Sequence, residues 1–465
     1  MLQKGFILLV ISSAIVLCGC ESIDNNVNQL DENAPRQDIQ ARLIPTERSV
    51  GVSPSTQIDI PTGVINLRDA VAFALVRNPN LNAYSLEVKA AEARNLQASL
   101  LPNPEIEVEV EEFGGTGGRT RFDSSQTTVQ IGQLIELAGK RNKRTNLATL
   151  EKDVVEWDYK SKGLDVKNEV TKRFIDLLAA QEQLDRTKEL VRLSEQAHLA
   201  VIQKVTAGKD SPVDETKAKV VLSIARIESE RANKTLVSAC HHLAATWGSL
   251  NPTFEKAEGN FYELFPVPTF EELTGLISQN PDVARWVVEK ERRCAALELE
   301  KAKATSDIRL GGGLQYFNEG DDSAFILGLS IPIPLFDRNQ GSIDEAMYML
   351  AKTQEYHKAI EINTLAALAE TVMELSSTIN EITVLKNDVL PSAQSAFDAA
   401  SQGYNEGKFE YLDVLDAQRT FFEARGKYIE ALTKYHKARA DVERLIAQSL
   451  DGVNNPLEAK AEKSK

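Results

Sequence analysis

Two kinds of periodicity divide this chain. Glu105-Ile106-Glu107-Val108-Glu109-Val110-Glu111 alternates with a period of two, and Thr127 to Gln133 does so again, with Val129 and Ile131 on one face and Thr128 and Gln130 on the other. These runs predict strands near 105–112 and 127–134, joined by Gly114-Gly115-Thr116-Gly117-Gly118. From Gly139 to Ala207 the pattern changes. There is no proline, Gly163 is the one interior glycine, and Leu150, Trp157 and Leu164 step by seven, as do Leu177, Leu184 and Val191 after a phase shift. Such stepping predicts a long helix packed lengthwise against others, reaching about 100 Å at about 1.5 Å per residue. A returning helix is expected from Val213 to Trp247.

The whole order occurs twice. Leu67 to Leu101 is helical, interrupted at Asn78-Pro79 and ended by Pro102 and Pro104. Phe270 to Thr305 is helical with its own Asn280-Pro281, 202 residues on. Ile308, Leu310, Leu314 and Tyr316 then alternate with Arg309, Gly311, Gly313 and Gln315. Phe325, Leu327, Leu329, Ile331 and Ile333 form the face of a further strand, with Pro332 and Pro334 at its end, so strands are expected near 308–317 and 324–333. A second long helix carries Leu365, Leu368, Val372, Leu375, Ile379, Ile382 and Val389 as its seam, and Pro391 marks a kink or junction in it. Between the long helices, Gly208-Lys209-Asp210-Ser211-Pro212-Val213-Asp214 and Gly407-Lys408-Phe409-Glu410-Tyr411-Leu412-Asp413 share one turn pattern, 199 residues apart. Gly208 and Gly407 are expected to end helices with positive φ. The division that follows is a first repeat at 63–250, a linker at 251–267 and a second repeat at 268–450, with a disordered polar tail at 451–465.

The first residues read as a processing signal. Lys4 precedes an apolar core from Phe6 to Val16, and Leu17-Cys18-Gly19-Cys20 closes it. That ending resembles a bacterial lipobox, which makes 1–19 a lipoprotein signal peptide, Cys20 the lipidated residue and 20–62, with its spread prolines, an extended tether. An ordinary signal or an uncleaved anchor gives the same apolar run. Glu21 follows the cysteine in place of the Asp associated with inner-membrane retention. The formal net charge of −15 argues against nucleic acid as a partner. Beyond the signal only Cys240 and Cys294 remain, and they read as separate buried thiols. The five histidines show no metal-ligand spacing, and neither a metal nor a cofactor is expected.

Four strands per chain are too few to close a barrel. A sheet with one wet face would give the same alternation as a sheet with lipid on one side. If lipid covers the apolar face, closure needs several chains. Two would supply eight strands, whose interior fills with side chains; three would supply twelve and leave a wet lumen lined by Glu105, Glu107, Glu109 and Glu111.

The ordered set of features resembles the TolC family of outer membrane efflux proteins over nearly all of the chain after Cys20. The resemblance rests on the duplicated helix–hairpin–helix layout, the paired Asn-Pro, Leu101-Pro102-Asn103-Pro104 before a strand, and Gly403-Tyr404-Asn405-Glu406-Gly407-Lys408 before Tyr411-Leu412-Asp413-Val414-Leu415-Asp416-Ala417-Gln418-Arg419. Ile135-Glu136-Leu137-Ala138-Gly139-Lys140-Arg141 is similar to the heavy-metal-resistance (CzcC-like) branch. The resemblance implies a mainly α fold with a small β part: a homotrimer with a 12-stranded barrel on a coiled-coil tunnel. It implies an outer-membrane exit channel in outer-membrane lipid, without enzymatic activity, working with a periplasmic adaptor and an inner-membrane pump. Asp413 and Asp416 match the family's acidic aperture residues, and Phe409 stands where some members carry a basic residue. Gly208, Lys209, Asp214, Gly407 and Lys408 fall at the implied adaptor-docking tips. Local chemistry offers another role for these aspartates, since an Asp just after a turn caps a helix; for Asp214 the cap is favoured, for Asp416 the aperture. A periplasmic coiled-coil adaptor lipoprotein is the alternative, although it calls for a single hairpin between strand-rich domains. No Gly-x-Ser-x-Gly or His-Glu-x-x-His occurs to support a hydrolase.

Overall fold

A computed structural model describes residues 62–451. The expected signal peptide, Cys20, the tether up to residue 61 and the tail after Asp451 lie outside the described residues. The first half comprises β1 (Gly63–Ile65), α1 (Leu67–Arg77), α2 (Pro79–Ser99), β2 (Glu105–Glu111), β3 (Gln126–Ile135), α3 (Lys140–Thr206) and α4 (Pro212–Ala245). Then come β4 (Phe254–Ala257), α5 (Phe270–Thr274), α6 (Pro281–Lys303), β5 (Ile308–Phe317), β6 (Asp322–Ser330), α7 (Gln340–Val384), α8 (Leu390–Asn405) and α9 (Tyr411–Ile446). α3 runs unbroken for 67 residues, about 100 Å, and packs against α2, α4, α6 and α9.

The two Asn-Pro steps do the same work in each repeat. Proline cannot donate an N–H, so it sits without cost in the first turn of a helix, and the preceding asparagine caps it. Asn78 accepts from the Leu81 N–H at 2.9 Å, and its amide donates to the Thr246 carbonyl at 2.7 Å, at the end of α4. Asn280 accepts from the Asp282 N–H at 2.8 Å and donates to the carbonyls of Leu445 (2.8 Å) and Arg444 (3.1 Å), at the end of α9. One buried side chain thus satisfies the orphan donors of one helix and the orphan acceptors of another. The start of each repeat is fastened to its end.

The main core lies where α3, α7 and α9 meet, around Ile175, Leu368, Leu375, Ile382, Leu432, Tyr435 and Ile446. Each buried Leu or Ile contributes about 1.5–3 kcal/mol. The heptad seam of α7 holds to Ile382, but Val389 is exposed, against expectation. Residues Leu385–Val389 form a π turn just before Pro391. The additional residue in that turn rotates the face, so Leu385 and Ala393 are buried instead.

Three further expectations are corrected. β6 stops at Ser330, not near 333, because Pro332 and Pro334 lack the donors that a continued ladder needs. The stretch 251–267 is more than a linker: its β4 pairs in parallel with β1, and the Gln181 side chain bonds both the N–H (2.8 Å) and the carbonyl (3.0 Å) of Ala257. Trp247 seats this corner edge-on between Phe73 and Phe254. Cys240 is half-buried and Cys294 exposed; both are free thiols, and Cys294 is not the buried group expected.

The Asn280 geometry separates a cap from a tie. At an ordinary N-cap Asp replaces Asn with little loss. Here Asn280→Asp keeps the acceptor but turns a carboxylate toward two carbonyls, so we expect it to destabilise at least as much as Asn280→Ala, by about 2–4 kcal/mol. Thermal unfolding in detergent checks this; an Asp variant as stable as the natural protein would show that only the cap matters.

Candidate functional site: an open sheet and two helical tips

β2, β3, β5 and β6 form one antiparallel sheet in that order, and the β3–β5 pair, from Gln126 opposite Phe317 to Ile135 opposite Ile308, joins the two repeats. Cross-strand register sorts the side chains into rows. Val108, Val129, Leu314 and Phe325 share one row, and Ile106, Ile131, Gly312 and Leu327 the next, all on one face. The opposite face carries Glu105, Gly132, Gly311 and Gly328 in one row, Glu107, Gln130, Gly313 and Ile326 in another, and Glu109, Thr128, Gln315 and Ala324 in a third. The apolar face is bare: Phe325 is 90% exposed and Leu327 87%. Both edges, β2 and β6, lack a partner strand among the described residues.

The polar face is ordered from within. Glu105 pairs with Arg309 at 2.5 Å, and Glu107 accepts from Gln130 at 2.7 Å. Glu109 and Glu111 are exposed and form no ion pair within the described residues. At Gly313 a Cβ would lie 2.2 Å from the Val129 carbonyl oxygen and 2.7 Å from the Gln130 Cβ, so only glycine lets β3 and β5 approach this closely.

At the far end of the helices the turn pattern repeats bond for bond. Gly208 (φ 70°) and Gly407 (φ 76°) are left-handed, as expected. Gly208 N–H donates to Val205 and Lys209 N–H to Lys204, while Gly407 N–H donates to Tyr404 and Lys408 N–H to Gly403, all at 2.8–3.0 Å. The helices that follow are capped differently. Ser211 caps α4 by accepting from the Val213 N–H, so the cap expected of Asp214 is a correction: Asp214 sits one turn in and pairs with Lys217 at 2.9 Å. Pro212 at the first helical position fixes Ser211 as the cap. Asp413 accepts from the Glu410 N–H at 3.0 Å and closes a capping box on α9. The Asp416 carboxylate, three residues on, is exposed, makes no hydrogen bond or ion pair among the described residues and acts on Arg419 only through its charge. Lys209 is exposed, and Lys408 pairs with Glu406 at 2.6 Å.

The two tips also grip each other through a contact that the sequence pattern did not predict. Tyr404 donates its hydroxyl to Asp210 at 2.5 Å. Lys204 donates to the Tyr404 carbonyl, and its ammonium lies 3.5 Å from the centre of the Tyr404 ring. Val201, Ala218, Ala400, Tyr404, Tyr411 and Val414 pack around this contact. Burial, and then the bond to Asp210, push the Tyr404 hydroxyl above the usual tyrosine range; burial and the nearby Asp214 push Tyr411 up to about 12. The hint was an aromatic inside a helix-ending turn, where a solvated tip has no need of one.

Among the described residues no His, Cys, Asp or Glu cluster could hold a metal ion, and no helix is long and apolar enough to cross a membrane. What the arrangement offers is a two-faced sheet that lacks closure and, at the other end of ~100 Å helices, a tied pair of turns.

Comparison with known proteins gives a consistent set of likenesses. The protein-family model described as "Outer membrane efflux protein" matches residues 71–249 and 274–448. The cobalt-zinc-cadmium resistance protein CzcC of Cupriavidus metallidurans is 34% identical over 386 residues, covering 83% of this chain and 91% of that protein. A membrane protein from Pseudomonas aeruginosa has a similar fold, with a TM-score of 0.72 at 20% identity over 82% of this chain and 90% of the other. CusC, described in connection with folding and transmembrane channel formation, gives 0.70 at 18% identity over 82% and 92%.

Tyr404→Phe and Asp210→Asn remove, respectively, the donor and the charge of the tip contact. A double-mutant cycle read by hydrogen exchange at the tip amides should show a coupling of about 1–2 kcal/mol. The contact holds the Tyr404 proton more tightly than the unfolded chain does. Its stabilisation is therefore complete below the ordinary tyrosine pKa of about 10 and is lost as pH rises through the higher folded value. Additive effects of the two substitutions would contradict the contact.

Proposed function

The chain belongs to the outer membrane efflux protein family, and on that premise we propose that three copies join their sheets edge to edge into a twelve-stranded barrel standing on a shared helical tunnel. The protein is an outer-membrane exit channel, a passive conduit rather than an enzyme. The observation that carries the reading is the sheet itself. Among the described residues its apolar face has no cover, its other face is polar and glycine-lined, and neither edge has a partner strand. Inside a bilayer every backbone donor and acceptor must be satisfied, so a four-stranded sheet can sit there only as part of a closed ring. Eight strands would fill their own interior; twelve leave a passage.

In this reading Cys20 carries the lipid that holds the chain to the outer membrane, with 20–62 as the tether between it and the body. The tips at Gly208, Lys209 and Asp214 and at Gly407 and Lys408 meet a periplasmic adaptor, which couples the channel to an inner-membrane pump. Left-handed glycine turns suit this role because they present blunt, fully hydrogen-bonded helix ends to a partner. The cargo is a heavy-metal cation, in keeping with the relative named for cobalt, zinc and cadmium resistance. Glu105, Glu107, Glu109 and Glu111, repeated three times, would line the barrel lumen with carboxylates, and a ring of carboxylates favours cations.

Asp413 and Asp416 belong to the aperture in unequal parts. Asp413 is already engaged as a cap, whereas Asp416 is free to form a ring of like charge with its two copies.

In planar-bilayer recordings, Asp416→Ala should weaken block by divalent cations on the order of tenfold, the change given by about 1.4 kcal/mol of lost attraction, and the double variant with Asp413→Ala should also raise conductance. Asp413→Ala alone should cost about 1 kcal/mol of helix-end stability. Unchanged block in the double variant would remove these residues from the aperture, and failure of the purified protein to form pores at all would overturn the channel.

A further inference from the structure

The chain between β6 and α7 is a second apolar surface, separate from the strands. After Ser330 it reads Ile331-Pro332-Ile333-Pro334-Leu335-Phe336. Ile331 is 50% exposed, Ile333 77%, Leu335 66% and Phe336 91%. Its prolines keep it out of the ladder, and the Leu335 N–H donates to the Ile333 carbonyl at 2.9 Å. The polar turn that follows is well fastened. Asn339 is left-handed, and its amide donates to the Glu300 carbonyl at 2.8 Å and to the Glu300 carboxylate at 2.7 Å. The apolar segment is thus held at a fixed place by a rigid polar turn while its own side chains face outward.

The first repeat has no such segment. Its strand-to-helix turn places Gly139 before α3 as Asn339 stands before α7, both left-handed. Counting back by that offset of 200, the counterpart of 331–336 is 131–136, and there residues 131–135 remain inside β3, paired with β5 from Gly312 to Ile308. By register Ile331 would stand opposite Ile308, the first residue of β5, so the sheet ends here, and the second repeat crosses from strand to helix by a longer connection that carries large exposed apolar side chains.

We propose that Ile331 to Phe336 is an interfacial anchor, seated in the headgroup–acyl boundary of the phospholipid leaflet on the helical side of the outer membrane. The proposal rests on the barrel reading above. Three observations select phospholipid as the occupant. Ile331 directly follows β6 and keeps the parity of Phe325, Leu327 and Leu329, so the segment leaves the sheet on the face that a barrel turns outward. Copies joined through β2 and β6 cover edges and leave that outer face open. The nine residues of β6, tilted by about 40°, rise about 23 Å, close to the ~25 Å apolar band of an outer-membrane barrel, so the segment begins where hydrocarbon gives way to headgroups. Asp337 and Arg338, both exposed, come next and stand at the height of the lipid phosphates. Paired prolines suit this depth because they leave fewer backbone donors to satisfy.

The test uses the full-length protein reconstituted in phosphatidylcholine vesicles that contain lipids spin-labelled either near the headgroup or deep in the acyl chain. Phe336→Trp reports on the segment and Leu327→Trp on the barrel face. The natural tryptophans, Trp157, Trp247 and Trp286, lie in the helical body and give a constant background. The expected result is that the added fluorescence of the Phe336→Trp variant is quenched at least twofold more by the shallow label than by the deep one, and that of the Leu327→Trp variant the reverse. If the deep label quenches the Leu327→Trp variant while neither label touches the Phe336→Trp variant, the anchor is overturned and the barrel stands. If neither variant is quenched, the barrel reading falls and the anchor with it.

Discussion

An unpaired backbone group in hydrocarbon costs several kcal/mol, and the edges of β2 and β6, unpartnered among the described residues, present a row of them. That one cost orders the rest of the molecule. It forbids the sheet from entering a bilayer alone, and its bare apolar face makes it a poor guest in water. The ring of several chains proposed above meets both conditions. In such a ring the long helices would pack side by side, because the strands that feed them would stand side by side.

Duplication supplies the parts that the proposed ring needs. Each repeat carries one β-hairpin and one long helical hairpin, and in each a buried asparagine ties the beginning to the end. The copies have nevertheless diverged where they do different work. The long helix of the first hairpin is unbroken and a serine caps its return, whereas the second is interrupted by a π turn and Pro391 and closes with a Glu410–Asp413 box. Between strand and helix the first repeat has a short connection, from Ile135 to Lys140, and the second a longer apolar one, from Ser330 to Gln340. At the tips the two meet again, through Tyr404 and Asp210.

Most of this architecture is legible in the residues alone. The period of two around Ile106 and Ile308 marks the strands, the heptads around Leu177 and Leu375 mark the helices, and Gly208 and Gly407 mark the turns. What stays hidden has physical causes. β1 has three residues, too few to show a period, and its Gly63 pairs with Phe254, 191 residues on. The π turn adds a residue to the helical repeat and moves the seam from Val389 to Leu385 without any sequence signature beyond a nearby proline. Asp214 has the position of a cap because it follows a turn, but Pro212 already marks Ser211 for that role. The Tyr404–Asp210 bond joins residues 194 apart, and no single-sequence pattern encodes such a contact.

Closure between chains is the claim on which all else depends, and cross-linking the edges of the sheet tests it most directly. With Cys240 and Cys294 replaced by serine, cysteines at Val108 on β2 and Leu327 on β6 can be bridged by a short bis-maleimide. Within one chain these strands are three steps apart, about 14 Å, beyond the reach of such a reagent. A ladder of covalent dimers and trimers that stops at three is the expected result. Protein that remains monomeric after complete labelling would contradict it.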